Sequence, residues 1–254
     1  MSGARLRFRS IDTATAAYIA ALSVRPSSSE ILNLNQLVRS LKDCGAWGKL
    51  DAIYPLLGGV EADSRVNLKT PGTYNLTKIN SPIFTANAGW RSNNAGYLDT
   101  NYNVSTAGGM FARNDASIGV CVSQDVASGG GMIGYASNAL LIPRNVSNNF
   151  LGRLNNTGSI SISASGIGLH AVTRSVSASL IQWRRGNFLQ TASVASAALP
   201  SSNMLLLTGN GSTVAESSIN LTFAFFGAAL TGRQILAVNK AYAAYAAFYG
   251  VASS

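Results

Sequence analysis

Charge is what this chain of 254 residues has least of. Asp, Glu, Lys and Arg together make up 11%, against roughly a quarter in an ordinary soluble domain. The polar surface must therefore come from Ser, Thr, Asn and Gly, as in β-rich assemblies whose surfaces neighbours partly cover. Histidine occurs once, at His170, and cysteine twice, at Cys44 and Cys121. So few nitrogen and sulfur donors leave no basis for a zinc site, and no metal or other cofactor is expected. Any Ser/His/Asp or Cys/His triad would have to use His170. That residue sits in GLHAVTR, a strand pattern with apolar neighbours, which suits a core or sheet histidine better than a general base. Two cysteines make no disulfide framework, and both are expected as reduced thiols, one at a helix end and one inside a strand.

Carboxylates are scarce too, with 10 Asp and Glu in all. A glycosidase needs two of them facing one cleft. Between residues 66 and 226 the sequence offers Asp99, Asp115, Asp125 and Glu216, none in the close-spaced Glu-x-Asp patterns of hydrolytic jelly rolls. The chain is expected not to be an enzyme, with a polysaccharide depolymerase as the least favoured reading. No apolar run is long enough to span a bilayer. The basic start and the Ala-rich stretch after it loosely mimic a signal peptide, but Asp12 interrupts the join and no cleavage site follows. The N-terminus is expected to be unprocessed.

What the chain does have is a formal net charge of +9, which favours anionic partners. The 19 basic residues form no single run, so nucleic acid is not expected. Hydrophobic residues reach 47%, enough for a sizeable core. Residues 4–9 read ARLRFR, where Arg5, Arg7 and Arg9 alternate with apolar residues at strand period. Such an arm can add a strand to a neighbour's sheet.

Residues 11–24 look helical. Ser27 and Glu30 then form a capping box, before Ile31, Leu34, Val38 and Leu41 at helical spacing. Gly45 is placed to end that helix. Residues 46–57 give a short further element. From about residue 67, thirteen candidate strands alternate with Asn/Gly/Ser turns up to residue 226. The pair 178–184 and 187–194, joined around Arg185-Gly186, reads as a hairpin. A second capping box, Thr231 with Gln234, opens a C-terminal helix over 231–249. The expectation is a mainly β chain: residues 1–65 an arm and helical anchor, residues 66–254 an antiparallel sandwich closed by that helix.

Three stretches carry a family likeness: LVRSLKDCGAWGKLDAIYPL from Leu37, NLTKINSPIFTANAGW with GYLDTNYNVSTAGG from Asn75, and LTFAFFGAALTGRQILAVNKAYAAYAAF from Leu221. Together they resemble phage and prophage virion structural proteins with a concanavalin A-like, laminin-G-like jelly-roll sandwich. The resemblance implies a virion location, as tail fibre, collar or capsid decoration. It implies assembly with other virion proteins, and a homo-oligomer, with a trimer favoured.

Trp90, Arg91, Tyr97, Asp99, Asn101 and Tyr102 form the densest aromatic and polar group in the sandwich region. Aromatic faces stack on sugars and amides satisfy hydroxyls, so one reading is a site for a host surface glycan; the other places the aromatics in the core. Asp99, Asn101 and Asn103 mimic the start of a Ca²⁺ loop, but Val104 stands where an EF-hand needs Gly. Turn chemistry is the better account. Trp183, Arg184 and Arg185 at the hairpin tip, with Arg5, Arg7 and Arg9, are the candidate assembly contacts.

Overall fold

The computed structural model describes residues 10–127, 129–135, 137–164, 166–209 and 219–253. Arg5, Arg7, Arg9 and Glu216 lie outside the described residues. Among the described residues there are three α-helices: α1 (Thr13–Ala20), α2 (Ser28–Asp43) and α3 (Gly232–Phe248). Their ends are fixed as local chemistry requires. Asp12 caps α1 through Ala14 N–H, and both expected capping boxes form, Ser27 with Glu30 and Thr231 with Gln234. Gly45, at φ +74°, ends α2 in the left-handed conformation that glycine adopts freely.

Fifteen strands among the described residues make two antiparallel sheets. Sheet A holds β1 (Leu50–Pro55), β3 (Ile83–Thr85), β4 (Gly89–Arg91), β6 (Ala116–Val122), β11 (Gly168–Val176), β12 (Ser179–Arg184), β13 (Asn187–Ser193) and β15 (Leu221–Gly227). Its order is β13-β12-β11-β6-β15-β4-β3, and β1 joins β15 beside β4. Sheet B holds β2 (Thr77–Ile79), β5 (Tyr97–Asn103), β7 (Ile133–Tyr135), β8 (Ala139–Ile142), β9 (Asn149–Leu154), β10 (Ile160–Ser163) and β14 (Asn203–Leu206). Its order is β10-β9-β8-β7-β14-β5-β2. Each of the thirteen segments read as strands holds one; β1 and β4 are additional.

The layers explain the burial. An inner core lies between the sheets, with Leu98, Tyr102, Ile118, Val120, Phe150 and Phe226 among its members. An outer core lies between sheet A and the helices, where Leu37, Val38 and Leu41 of α2 and Val238 and Tyr242 of α3 meet Phe223 and Phe225. Sheet A is therefore apolar on both faces, and every residue of β6 and β15 is buried. Gly119 lies under the Phe225 ring, which a Cβ there would overlap. The outer core also absorbs β1, since Ile53 and Leu57 pack with the helices while Ala52 and Tyr54 face sheet B. A strand from the expected helical head thus belongs to the sandwich, and the helices share a core with sheet A. No helix among the described residues is long and apolar enough to cross a membrane.

Candidate functional site

β5, YLDTNYN, alternates strictly. Leu98, Thr100 and Tyr102 point inward, and Asp99, Asn101 and Asn103 point outward. The expected aromatic patch is split by this alternation. Tyr102 is 1% exposed; its ring packs on Tyr74 and Phe226, and its hydroxyl donates to Asp51 at 2.9 Å. Burial, and then the Asp51 charge, push that hydroxyl far above the ordinary tyrosine range. Trp90 is fully buried beside Phe84 and donates to Ser64 Oγ at 2.9 Å. Neither ring can stack on a sugar, so the core reading holds for both. Arg91 is half-buried at the end of β4, and Tyr97 is half-buried with its ring against the inner core.

What remains on the surface is a polar cluster on the outer face of sheet B. Asp99 Oδ1 accepts Asn101 N–H at 2.7 Å, and both carboxylate oxygens take the Asn203 amide at 3.0 and 3.1 Å. Asn101, at φ +58°, donates through Nδ2 to Asn75 O at 2.8 Å and to Thr77 Oγ1 at 3.0 Å. Among the described residues no donor reaches Asn101 Oδ1. Asn103 Oδ1 accepts Ser105 N–H at 3.1 Å. These are the side-chain-to-backbone bonds of Asx turns, the alternative to a Ca²⁺ loop. Asn203 was not among the sequence candidates; β14 brings it beside β5 from a distant part of the chain. Further along the same face, Leu207 at φ +67° turns the chain so that the Gly209 backbone lies against Gly131 and Gly134, where any side chain would collide.

The other expected residues have structural partners. Asp115 accepts Ala229 N–H at 2.8 Å just before β6, and Asp125 pairs with Arg144 at 3.1 Å just after it. Partial burial works against ionising Asp125, but the Gly166 N–H and the Arg144 guanidinium outweigh it and hold the carboxyl below its ordinary range. A strand of this length separates the two acids by about 20 Å, beyond the ~5–10 Å of a glycosidase pair. Asp99 lies on the other sheet. His170 is buried edge-to-face on Phe150 at 4.9 Å, with Nδ1 3.2 Å from Gly168 O.

The hairpin tip is less free than expected. Arg185 (φ +50°) and Gly186 (φ +81°) make the left-handed turn that joins β12 to β13. Trp183 does not project from it. Its indole donates to Thr173 Oγ1 at 2.8 Å, and its ring lies against Gly232 and edge-on to Phe188. Arg185 donates to Ile167 O at 3.1 Å, and Arg184 is half-buried. Trp183 is therefore corrected from an assembly contact to an internal wedge between hairpin and α3.

The largest polar group in the interior escaped sequence reading. Arg174 is fully buried, and its guanidinium donates to Leu154 O at 3.0 Å, to Ser177 O at 2.5 Å, to Val194 O at 2.7 Å and to Asn156 Oδ1 at 3.3 Å. It ties β9, the β11–β12 turn and the end of β13 together.

No protein-family model and no curated protein matches the sequence, so the phage likeness rests on the three stretches alone. Solved structures do match in fold. Domain 4 of AbnA, an extracellular arabinanase from Geobacillus stearothermophilus solved with arabinotriose, superposes with a TM-score of 0.53 at 11% identity, over 75% of this chain and 98% of that one. A Trypanosoma rangeli sialidase superposes with a TM-score of 0.53 at 12% identity, over 83% of this chain but 39% of its own. The chain is thus similar in fold to β-sandwich domains and spans well under half of the sialidase.

Proposed function

We propose that this protein is a non-enzymatic glycan-binding module whose ligand lies on the outer face of sheet B over β5 and β14. On this reading the sandwich is a jelly roll of the concanavalin A-like kind. The observation that carries the proposal is the fixed polar cluster of Asp99, Asn101 and Asn203 on a sheet face that no helix among the described residues covers. A carboxylate held by two amides presents acceptors and donors in set positions, which is what sugar hydroxyls require. Its rigidity lowers the ordering cost on binding. The likeness to a domain solved with arabinotriose supports the reading at the level of fold, without transferring residues.

The test is glycan-array and titration binding of the intact chain, followed by Asp99→Ala, Asn101→Ala and Asn203→Ala. The expected loss is about tenfold or more for Asp99→Ala, the scale of a charged hydrogen bond. Retained binding in all three variants, or no retained glycan, sinks the proposal. Trp90→Ala and Tyr102→Ala are unsuitable probes because both remove core. The virion setting is part of this proposal and rests on the sequence resemblance. Mass spectrometry of purified particles tests it by presence and copy number.

A further inference from the structure

We infer that β13 is a self-pairing edge, through which two copies of this chain join their A sheets into one continuous antiparallel sheet. The inference is independent of the glycan proposal and rests on a contrast among the five sheet edges, β13, β3 and β1 in sheet A and β10 and β2 in sheet B.

Exposed edges are templates for another strand, and proteins blunt them with shortness, charge, proline or cover. Four edges here are blunted. β1 ends in Pro55 and its outer side is bonded by residues 67 and 68, with Ile53 N–H donating to Asn67 Oδ1 at 3.1 Å and Leu68 N–H to Ile53 O at 2.8 Å. β3 and β2 are three residues each, β2 carries Lys78, and β10 is four residues long. β13 is seven residues long, NFLQTAS, and among the described residues no strand lies beyond it in sheet A. The sequence from Asn187 through Leu199 holds no charged residue and no proline. One bulge interrupts the strand: Gln182 faces Gln190 and Trp183 faces Phe188, which leaves Leu189 as the extra residue. Beyond it Gln190–Ser193 is regular, and Val194 N–H continues the pairing to Ala178 O at 3.0 Å. Thr191 and Ser193 are exposed, and Phe188 beside them is 57% exposed.

A second copy fits this edge for three reasons. It supplies an equally unpaired and uncharged strand. An antiparallel pair centred on Ala192 sets Ala192 against Ala192, where two small side chains allow close approach. It also sets Thr191 opposite Ser193 and Gln190 opposite Val194, so inward and outward residues stay matched. Finally, in that arrangement the Arg184-Arg185 turn of each copy lies at the end of the ladder away from the other's, so the nearest charges do not oppose. Such a contact is isologous and closes at two copies, in place of the trimer expected from sequence. It also uses up the one unguarded edge.

The test needs no ligand: the mass of the intact chain in solution is measured by light scattering over a concentration series. The expected result is a rise toward twice the 26.4 kDa chain mass. Thr191→Lys with Ser193→Lys sets like charges directly opposite and is expected to weaken the dimer about tenfold or more. Thr191→Lys with Ser193→Glu sets opposite charges together and is expected to restore it. Hydrogen exchange of the unsubstituted chain reads the same ladder without any variant, since the outward amides of Thr191 and Ser193 slow as concentration rises if the edges pair. A monomer at every concentration, a dimer indifferent to the Lys/Lys change, or amides indifferent to concentration overturns the inference.

Discussion

Sheets A and B are built from similar numbers of strands but live in different surroundings. Sheet A is covered on one side by sheet B and on the other by α2 and α3, so β6 and β15 are buried throughout. Sheet B is covered on one side only, and β5 and β9 alternate between buried and accessible residues. The difference separates labour. In sheet A every side chain along β6 and β15 is buried, and the polar groups within the sheet, such as His170, Gln182 and Thr222, are buried with partners. On sheet B each strand contributes packing and surface in turn, so the open face can change without loss of core.

The contrast can be broken most directly at Phe225. Phe225→Ala is expected to lower unfolding free energy by about 3–5 kcal/mol, as for other buried aromatics. Leu205→Ala, on the outer face of sheet B, is expected to cost under about 1 kcal/mol. Denaturant titration of both variants checks the pair, and equal losses would remove the distinction. Arg174→Met comes next. It leaves the buried Leu154 carbonyl and the partly buried Val194 carbonyl without the guanidinium, while Ser177 O keeps Ser196 N–H. An expected loss of about 3 kcal/mol follows from stranded buried acceptors, and a neutral result would show that the apolar replacement repacks well.

The smallest effect belongs to the helical layer. Lys42 Nζ lies 2.6 Å from Asp12 Oδ1. That hydrogen bond, against a smaller opposing effect of burial and with help from Ala14 N–H, holds the Asp12 carboxyl below its ordinary range. A carboxyl depressed in the folded state stabilises fully above its unfolded value of about 3.9, and the contribution fades as pH falls through the folded value. Lys42→Met is therefore expected to cost about 0.5–1 kcal/mol at neutral pH. The gap from the unsubstituted chain should shrink below about pH 4. A gap constant from pH 2 to 7 would show that the ion pair plays no part.

Much of this contrast was written in local sequence. The turns between strands and the alternation within them located thirteen strands, and the capping boxes located α2 and α3. β4 is three residues long, and β1 ends in Pro55 inside the helical part of the chain, so neither carried a strand signal. The burial of Tyr102 was legible in part, because it shares the parity of Leu98 in β5. Its Asn neighbours pointed the other way. The Asp99–Asn203 contact was not legible, since nothing local ties residues from β5 and β14 together. Nor was the orientation of β15, where Phe223 and Phe225 meet the helices while Ala224 and Phe226 meet sheet B. A strand apolar on both sides does not say which side faces which layer.

One consequence concerns the order in which the molecule can be made. β15 fills the middle of sheet A, between β6 and the pair β1 and β4, with Leu50 opposite Gly227. Nearly the whole chain must leave the ribosome before that slot is filled, and α3, which follows directly, then covers it. Until then β6 and β1 present apolar edges to whatever is nearby. Contacts so distant in sequence are slow to form, and chains waiting in that state are exposed to mispairing. Low charge thus coincides with a synthesis in which early crowding is the hazard and the segment from β15 through α3 is the remedy.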